Sequence, residues 1–370
     1  MGLLSILFYA AIITPVLLVA IKVILALFVH KSTPYSGVEV KEKVALVTGG
    51  TSGIGRAMVV ELIARGARVF FNGRDARIVR DEIIKEIKQR LSLLDSTKRS
   101  ITQDYRHWLM DIEAGKWEGD NFISDRLWFF KCDMADLKQV EQLAENFNKL
   151  RRPLDFLVNN AGLALDTYGT TVQGFERTMG VNHFAHYYLT DLVFQALHKH
   201  SRVVNTSSVA QISGLAKTLK EPVDWDFFFN LPKEKYSFFN SYTLSKVANV
   251  FFAKGLQSKF DMAGLEAKAV SGHPGGVYTP IFERVGSFLK IITKISAVIM
   301  WTFLKSPLQG AQTNLNCIYM PFDQLVGGEY YTECVPDKIN PIVNDRTTQQ
   351  FMDRSKQIIE SVMKVKIQNL

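Results

Sequence analysis

Tyr242 and Lys246 stand four residues apart in Tyr242-Thr243-Leu244-Ser245-Lys246, a spacing that puts both on one face of a helix. A free tyrosine titrates near pH 10, too high for an efficient base at neutral pH. A neighbouring ammonium favours the phenolate and lowers that value, so the pair can exchange a proton with an alcohol or carbonyl oxygen. The plain alternative is a half-buried helix face, which the pair alone does not exclude. Far upstream, Thr48-Gly49-Gly50-Thr51-Ser52-Gly53-Ile54-Gly55 follows a short apolar run and leads into a helical pattern. Glycines there permit a tight turn and close approach of backbone to a pyrophosphate, and a helix N-terminus offers free N–H groups and a positive dipole end. The competing reading is a flexible Gly-Thr-Ser turn. The second apolar run ends Phe71-Asn72-Gly73-Arg74. NAD sites tend to place a carboxylate at this point, whereas Arg74 can pair with a 2′-phosphate, so NADP is favoured over NAD unless Arg74 is taken by Asp75 or Asp81.

The elements that must position these groups alternate. Short strands are expected at Lys43–Thr48, Arg68–Phe71, Trp128–Lys131, Leu154–Val158, Arg202–Ser207 and Glu266–Ser271. Helices are expected at Ile54–Arg65, Ile78–Leu94, Val140–Leu150, Phe175–Leu197 and Tyr242–Phe260. Such alternation predicts right-handed crossovers and an α/β fold with a doubly wound parallel sheet. Residues 92–127, with Trp108 and Trp117, and residues 209–241, with Trp225 and Phe227–Phe229, interrupt the rhythm. Both read as surface insertions, and the two tryptophans of the first are candidates for a partner contact.

Five motifs occur in order: Thr48-Gly49-x-x-x-Gly53-Ile54-Gly55, Asn159-Asn160-Ala161-Gly162, Ser207-Ser208, Tyr242-x-x-x-Lys246 and Pro274-Gly275. Together they resemble the short-chain dehydrogenase/reductase family, a Rossmann fold, over most of residues 41–345, and its membrane-anchored retinol dehydrogenase-like branch most of all. The resemblance implies roles. Tyr242 would be the general acid/base, Lys246 would lower its pKa and hold the nicotinamide ribose, and Ser208 would hydrogen-bond the reacting oxygen. Asn182 would support a proton-relay water and Asp133 would contact adenine. Asn159 and Gly162 would shape the cofactor floor, and Pro274, Gly275 and Thr279 would line the nicotinamide end. Each residue has a structural alternative singly: turn formers for Asn159, strand-end hydroxyls for Ser207 and Ser208, a plain turn for Pro274-Gly275. Ser208 and Tyr242 lie 34 residues apart, wider than the family's usual spacing, so the loop between them must fold outward.

Residues Leu3–Val29 are apolar apart from Lys22, long enough to cross a hydrocarbon core of roughly 30 Å with tilt, and kinked by Pro15. A cleaved signal peptide and a bent monotopic insertion are the alternatives. No Lys or Arg precedes the segment, while Lys31, Lys41 and Lys43 follow it, which orients the remaining chain to the cytosol. The chain of 370 residues therefore divides into an anchor at 1–31, a linker at 32–40, one catalytic domain at 41–345 and an exposed C-terminal helix at 346–370. Within the domain, 282–304 is an apolar stretch broken by Lys290 and Lys294, read either as a substrate lid or as an ordinary core helix. Hydrophobic residues at 47% and charged residues at 22% exclude wholesale disorder. A net charge of +8 suits an anionic cofactor or membrane surface, and the absence of a basic stripe with interleaved aromatics gives no case for nucleic acid. Three widely spaced cysteines oppose a disulfide framework, and His183, His186 and His273 have no metal-ligand spacing. The resulting expectation is an NADP-dependent oxidoreductase acting on a lipophilic alcohol/carbonyl pair of retinoid, polyprenoid or steroid type, at the endoplasmic reticulum or lipid-droplet surface. A homo-oligomer is compatible with the resemblance. The alternative is a catalytically idle Rossmann-fold platform for membranes or lipid droplets.

Overall fold

Val44 and Leu46 of strand β1 (Val44–Val47) pack into one apolar layer, and Ala45 and Val47 into another. A strand buried on both faces belongs in the middle of a sheet covered by helices on either side. The computed structural model describes residues 14, 16–24, 38, 40–96, 104–277 and 304–370. Most of the anchor and linker, nearly all of the 282–304 stretch and Thr279 lie outside the described residues.

From β1 the chain turns into helix α1 (Gly53–Ala64), which ends where Gly66 takes φ +89°. The Gly66 and Ala67 amides return to Ile63 O and Leu62 O, satisfying carbonyls that the helix end would orphan. Val59, Leu62 and Ile63 of α1 are fully buried, each worth about 2 kcal/mol of transfer from water. Strand β2 (Arg68–Gly73) follows, then a helical run of Ala76–Ile78, a π turn Val79–Ile83 and α2 (Ile84–Ser96). Next come α3 (Asp104–Glu113), the hairpin β3 (Lys116–Glu118) and β4 (Asn121–Ile123), β5 (Leu127–Lys131), α4 (Leu137–Lys149) and β6 (Leu154–Asn159). A helix of three parts precedes β7 (Leu197–Thr206): Arg177–Met179, a π turn Gly180–Phe184, and α5 (Ala185–Val193). The catalytic candidate sits on α6 (Phe238–Met262), followed by β8 (Lys268–His273), α7 (Pro307–Tyr319), β9 (Tyr330–Thr332), β10 (Val335–Pro336) and α8 (Asp345–Met363).

The strands form one ten-stranded sheet in the order β10-β9-β8-β7-β6-β1-β2-β5-β4-β3. From β9 to β5 every pairing is parallel, and antiparallel additions close both edges. The chain winds outward from β1 in one direction through β2 and β5, and in the other through β6 to β9. A crevice therefore opens at the carboxyl ends of β1 and β6, where a doubly wound sheet binds its ligand. All six expected strands are present, and β9 extends the parallel set.

Three expectations need correction. The described residues of the 92–127 stretch, 92–96 and 104–127, are no surface loop: β4 pairs with β5, Phe122 opposite Phe129, and α3 packs beneath. Trp108 is 2% exposed, fills the space a side chain at Gly66 would occupy and lies under the Arg126 guanidinium, so it is core rather than a partner contact. Trp117 is half-buried against Arg80 and Phe122. Residues 209–241 likewise send Phe228 and Phe229 into the core. The C-terminal helix is not an exposed appendage either: Phe351, Met352 and Ile359 are buried, and Asp191 accepts the amides of Asn369 and Leu370. Its charged face hid an apolar stripe of helical period. Among the described residues no helix is long and apolar enough to cross a membrane. Residues 16–24 are helical, with Val16, Leu17, Val19, Val23 and Ile24 exposed.

Candidate active site

The glycine turn is held by the strands around it. Gly49 N–H donates to Asn72 Oδ1 at 3.1 Å and Gly50 N–H to Asn72 O at 2.9 Å. Asn72 in turn donates to Cys132 O just past β5, so β2 holds the turn and is itself braced by the next strand out. Gly49 has φ +67°, and a Cβ on it would lie 2.9 Å from Ala161 Cα. A Cβ on Gly55 would overlap the Gly49 carbonyl. Side chains are thereby kept out at the two points where the backbone must come close to a ligand. Helix α1 opens behind this turn with Ser52 as its N-cap. No side chain caps it, and no acidic residue stands in its first turn. Its N–H groups and dipole end are thus available to an anion, which is what the pyrophosphate of a dinucleotide presents.

Thr51, Ser52, Gly53, Ile54 and Gly55 line one wall of the resulting cleft with Gly49. Arg74 is exposed at its rim and makes no ion pair among the described residues. The neighbouring Asp75 is instead engaged by Arg77 at 2.8 Å, and that contact holds its carboxyl below the usual carboxylate range. The end of β2 therefore offers a cation and no free carboxylate. Asp133 lines the cleft between Cys132 and Met134, accepting the Ala135 amide at 3.0 Å. Burial pushes the Cys132 thiol up to about 12, which leaves it an inert part of the wall.

Gly162 lines the floor, but Asn159 does not. Asn159 is 1% exposed and donates to Asn205 Oδ1 at 2.8 Å and Thr190 Oγ1 at 3.3 Å, tying β6 to β7 and α5. Strand alternation explains the correction: Asn159 points into the layer and Asn160 to the ligand side, where its amide donates to Thr48 O. Pro274 lines the far end of the cleft. Gly275 stands behind it with φ +83°, leaving room for the buried Lys305, which pairs with Glu333.

At that far end the Ser208 hydroxyl stands beside the Tyr242 phenol and favours its ionised form. Phe238, one turn earlier on α6, stacks parallel to the Tyr242 ring at 6.1 Å. Lys246 Nζ lies 5.3 Å from the ring centroid and donates to Thr206 O at 3.0 Å. Burial lowers Lys246 to about 8 and raises Tyr242, with the neighbouring Ser208 hydroxyl pulling the phenol partly back. The Lys246 ammonium is turned to the Thr206 carbonyl in this arrangement, and burial dominates the Tyr242 phenol. Asn182 sits at the middle of the π turn. Its side chain takes the Leu163 amide at 2.9 Å and donates to Leu163 O and Ser245 Oγ. These side-chain bonds of Asn182 clamp the β6 loop to α6.

Several contributors escaped the sequence analysis as site residues: Asn72, Asn160, Thr206 and Ser207 all line the cleft. Asn72 and Asn160 had a signal, since each sits beside a motif at a strand end. Thr206 had none, because its part is played by its backbone carbonyl. The cleft as a whole can hold an extended phosphorylated ligand along the strand ends and present a hydroxyl pair to its far end.

A family model described as short chain dehydrogenase matches residues 43–111 and 96–219. Retinol dehydrogenase 12 of Homo sapiens is 30% identical over 328 residues, covering 88% of this chain and 88% of its own. Retinol dehydrogenase 11 of Homo sapiens is 31% identical over 305 residues, covering 81% and 80%. Among solved structures, a dehydrogenase/reductase from Sinorhizobium meliloti 1021 superposes with a TM-score of 0.53 at 21% identity, over 80% of this chain and 94% of its own. A short chain dehydrogenase from Burkholderia cenocepacia J2315 in complex with NADP gives 0.51 at 20%, over 80% and 97%.

Proposed function

This chain belongs to the short chain dehydrogenase family and is an oxidoreductase related to the retinol dehydrogenases, and we propose that it uses NADP(H) to interconvert a lipophilic alcohol and its carbonyl at a membrane surface. The observation that carries the reading is one cleft with two ends: an uncapped helix N-terminus free of acidic side chains at one, and Tyr242 and Lys246 at the other, with Ser208 beside the phenol.

The pyrophosphate would lie on the α1 N-terminus, the 2′-phosphate against Arg74, adenine beside Asp133, and the nicotinamide ribose within reach of Lys246. Bound there, the nicotinamide supplies or accepts the hydride. The chain's own residues handle the proton. Tyr242, held protonated by burial, donates its phenolic proton to the carbonyl oxygen as that oxygen becomes an alcohol, and takes it back in the reverse direction. Ser208 holds the same oxygen by a hydrogen bond, and Lys246, swung from Thr206 O to the ribose, brings a positive charge that stabilises the phenolate left behind.

Lipophilic substrates are supported by the half-buried Leu163, which lines the cleft, and the half-buried Phe238, stacked on Tyr242. Membrane attachment is supported by the apolar N-terminal segment, whose Lys22 donates to Leu304 O at 3.1 Å and so ties it to the catalytic domain. The positive charges that follow the segment favour a cytosolic domain at the endoplasmic reticulum or lipid-droplet surface.

The test is nicotinamide absorbance change by the full chain in detergent, with NADPH and NADH, on retinal, a polyprenal and a ketosteroid. NADPH-dependent turnover that vanishes in Tyr242→Phe is expected. A folded protein that binds neither cofactor would sink the reading.

A further inference from the structure

His186 takes no part in the chemistry described so far, yet it stands where three pieces of the site meet. It lies on α5 and is 1% exposed. One ring nitrogen, Nε2, is 2.8 Å from Thr48 Oγ1 at the head of the glycine turn. The other, Nδ1, is 3.0 Å from the main-chain carbonyl of Asn182 in the π turn. Thr48 Oγ1 also accepts the amides of Asn160 and Ala161, both at 2.9 Å, which pin the β6 loop over the cleft.

Counting donors and acceptors leaves one arrangement. A carbonyl only accepts, so Nδ1 carries the proton toward Asn182 O. Thr48 Oγ1 has one hydrogen and two lone pairs, and both lone pairs are taken by the two amides. Its hydrogen therefore points to the His186 nitrogen at 2.8 Å rather than to Val158 O at 3.4 Å. Burial lowers His186 to about 4, so Nε2 is bare at neutral pH and free to accept.

We infer that His186 is a positioning residue for the dinucleotide: as its Nδ1–H tautomer it locks the Thr48 hydroxyl, which holds the glycine turn and the β6 loop in register, and it ties that register to Asn182 of the catalytic end. This inference rests on the nicotinamide reading of the cleft. Without an acceptor at Nε2 the Thr48 hydroxyl is free to turn its hydrogen elsewhere, and one of the two loop amides loses its partner. The loop then loosens over the cofactor while the fold around α5 keeps its apolar packing.

The two ring nitrogens can be replaced one at a time. The side-chain oxygen of His186→Gln reaches the Nε2 position and restores an acceptor for Thr48. The side-chain amide of His186→Asn reaches only the Nδ1 position and restores a donor for Asn182 O. His186→Leu restores neither. The measurement is the NADPH dissociation constant of the full chain in detergent, by fluorescence energy transfer from protein to NADPH, beside the thermal midpoint of each cofactor-free variant. Losing one buried hydrogen-bond partner predicts NADPH binding weakened about tenfold in His186→Leu and His186→Asn, and within about threefold of wild type in His186→Gln. Equal NADPH affinity in the Asn and Gln variants, or affinities that follow the thermal midpoints alone, would overturn the inference. The Asn–Gln comparison decides the matter even where the Leu variant does not fold. Failure of the wild-type chain to bind NADPH would overturn the nicotinamide reading instead.

Discussion

Lys246→Met should stabilise the fold and abolish turnover. Lys246 is 4% exposed, and burial brings its pKa from 10.5 to about 8. A depressed lysine pKa means that the unfolded chain binds more protons than the folded one between those two values. The fold thus carries the full cost of the buried ammonium below pH 8 and sheds it as pH rises toward 10.5. The gap is worth about 3 kcal/mol at pH 7 and about 1 kcal/mol at pH 10. Removing the ammonium also removes its bond to Thr206 O, worth about 1 kcal/mol, but that carbonyl keeps the Asn249 amide at 2.9 Å and is not orphaned. The net gain at pH 7 is about 2 kcal/mol, or a rise in thermal midpoint of about 3 °C for a chain of this size. Thermal unfolding of the cofactor-free full chain in detergent, wild type beside Lys246→Met at pH 7 and pH 10, reads it directly. A midpoint that falls at pH 7, or a gain that is the same at both pH values, would refute the burial argument. Retained NADPH turnover in the variant would refute the role given to Lys246.

Tyr242→Phe should cost about a thousandfold in kcat while leaving the NADPH dissociation constant unchanged, since the phenol moves a proton and holds no phosphate. Arg74→Asp puts a carboxylate where the proposed 2′-phosphate lies, so the ratio of NADPH to NADH kcat/KM should fall by roughly tenfold to a hundredfold. A ratio that does not move would mean that Arg74 does not read the cofactor. Gly55→Ala drives a methyl into the Gly49 carbonyl and within 2.5 Å of Asn160 Nδ2, and NADPH binding by equilibrium titration should be lost. His183 is buried among Phe184, Phe229 and Phe351, and burial lowers it to about 3, so it folds neutral. Its contribution is present above pH 6.5 and is lost as pH falls toward 3, at about 1.4 kcal/mol per pH unit, and His183→Phe should flatten a urea-unfolding series over pH 6 to 4 accordingly.

What was legible in the sequence depended on how local its physical cause was. Strands such as Leu154–Asn159 and turns such as Gly49–Gly55 announce themselves because periodicity and glycine act over a few residues. The helix N-terminus and the i, i+4 pair Tyr242–Lys246 are of the same kind. Asn159 and Asn160 show the limit: adjacent residues of one type, separated only by which side of the pleat each faces. The apolar pattern of β7 starts at Arg202, but its pairing begins at Leu197, with the register to β6 shifting between Leu154 and Phe156. The polar His198, Lys199 and His200 of that lead-in carry no strand pattern. Tertiary packing overrode composition at Trp108 and along α8, where charged faces concealed buried stripes.

The wide spacing of Ser208 and Tyr242 looks like an obstacle to catalysis, and the structure shows why it is none. Lys246 Nζ and Asn249 Nδ2 both donate to Thr206 O, and Ser207 Oγ donates to Lys246 O at 2.7 Å. These bonds join the end of β7 to α6 directly, whatever the chain does in between. The entropy of closing a loop grows only with the logarithm of its length, so a longer excursion adds little cost once its ends are fixed. The excursion is itself anchored: Phe228 and Phe229 pack on Phe351 of α8, and Asn340 donates to Gln211 O and Ala216 O. Length was therefore added on the far side of the proposed catalytic pair, where it is held by the C-terminal helix, and the end of β7 meets α6 as it would across a short loop. The same arrangement makes α8 a support of the active site, since loosening it would free the segment that leads into Tyr242.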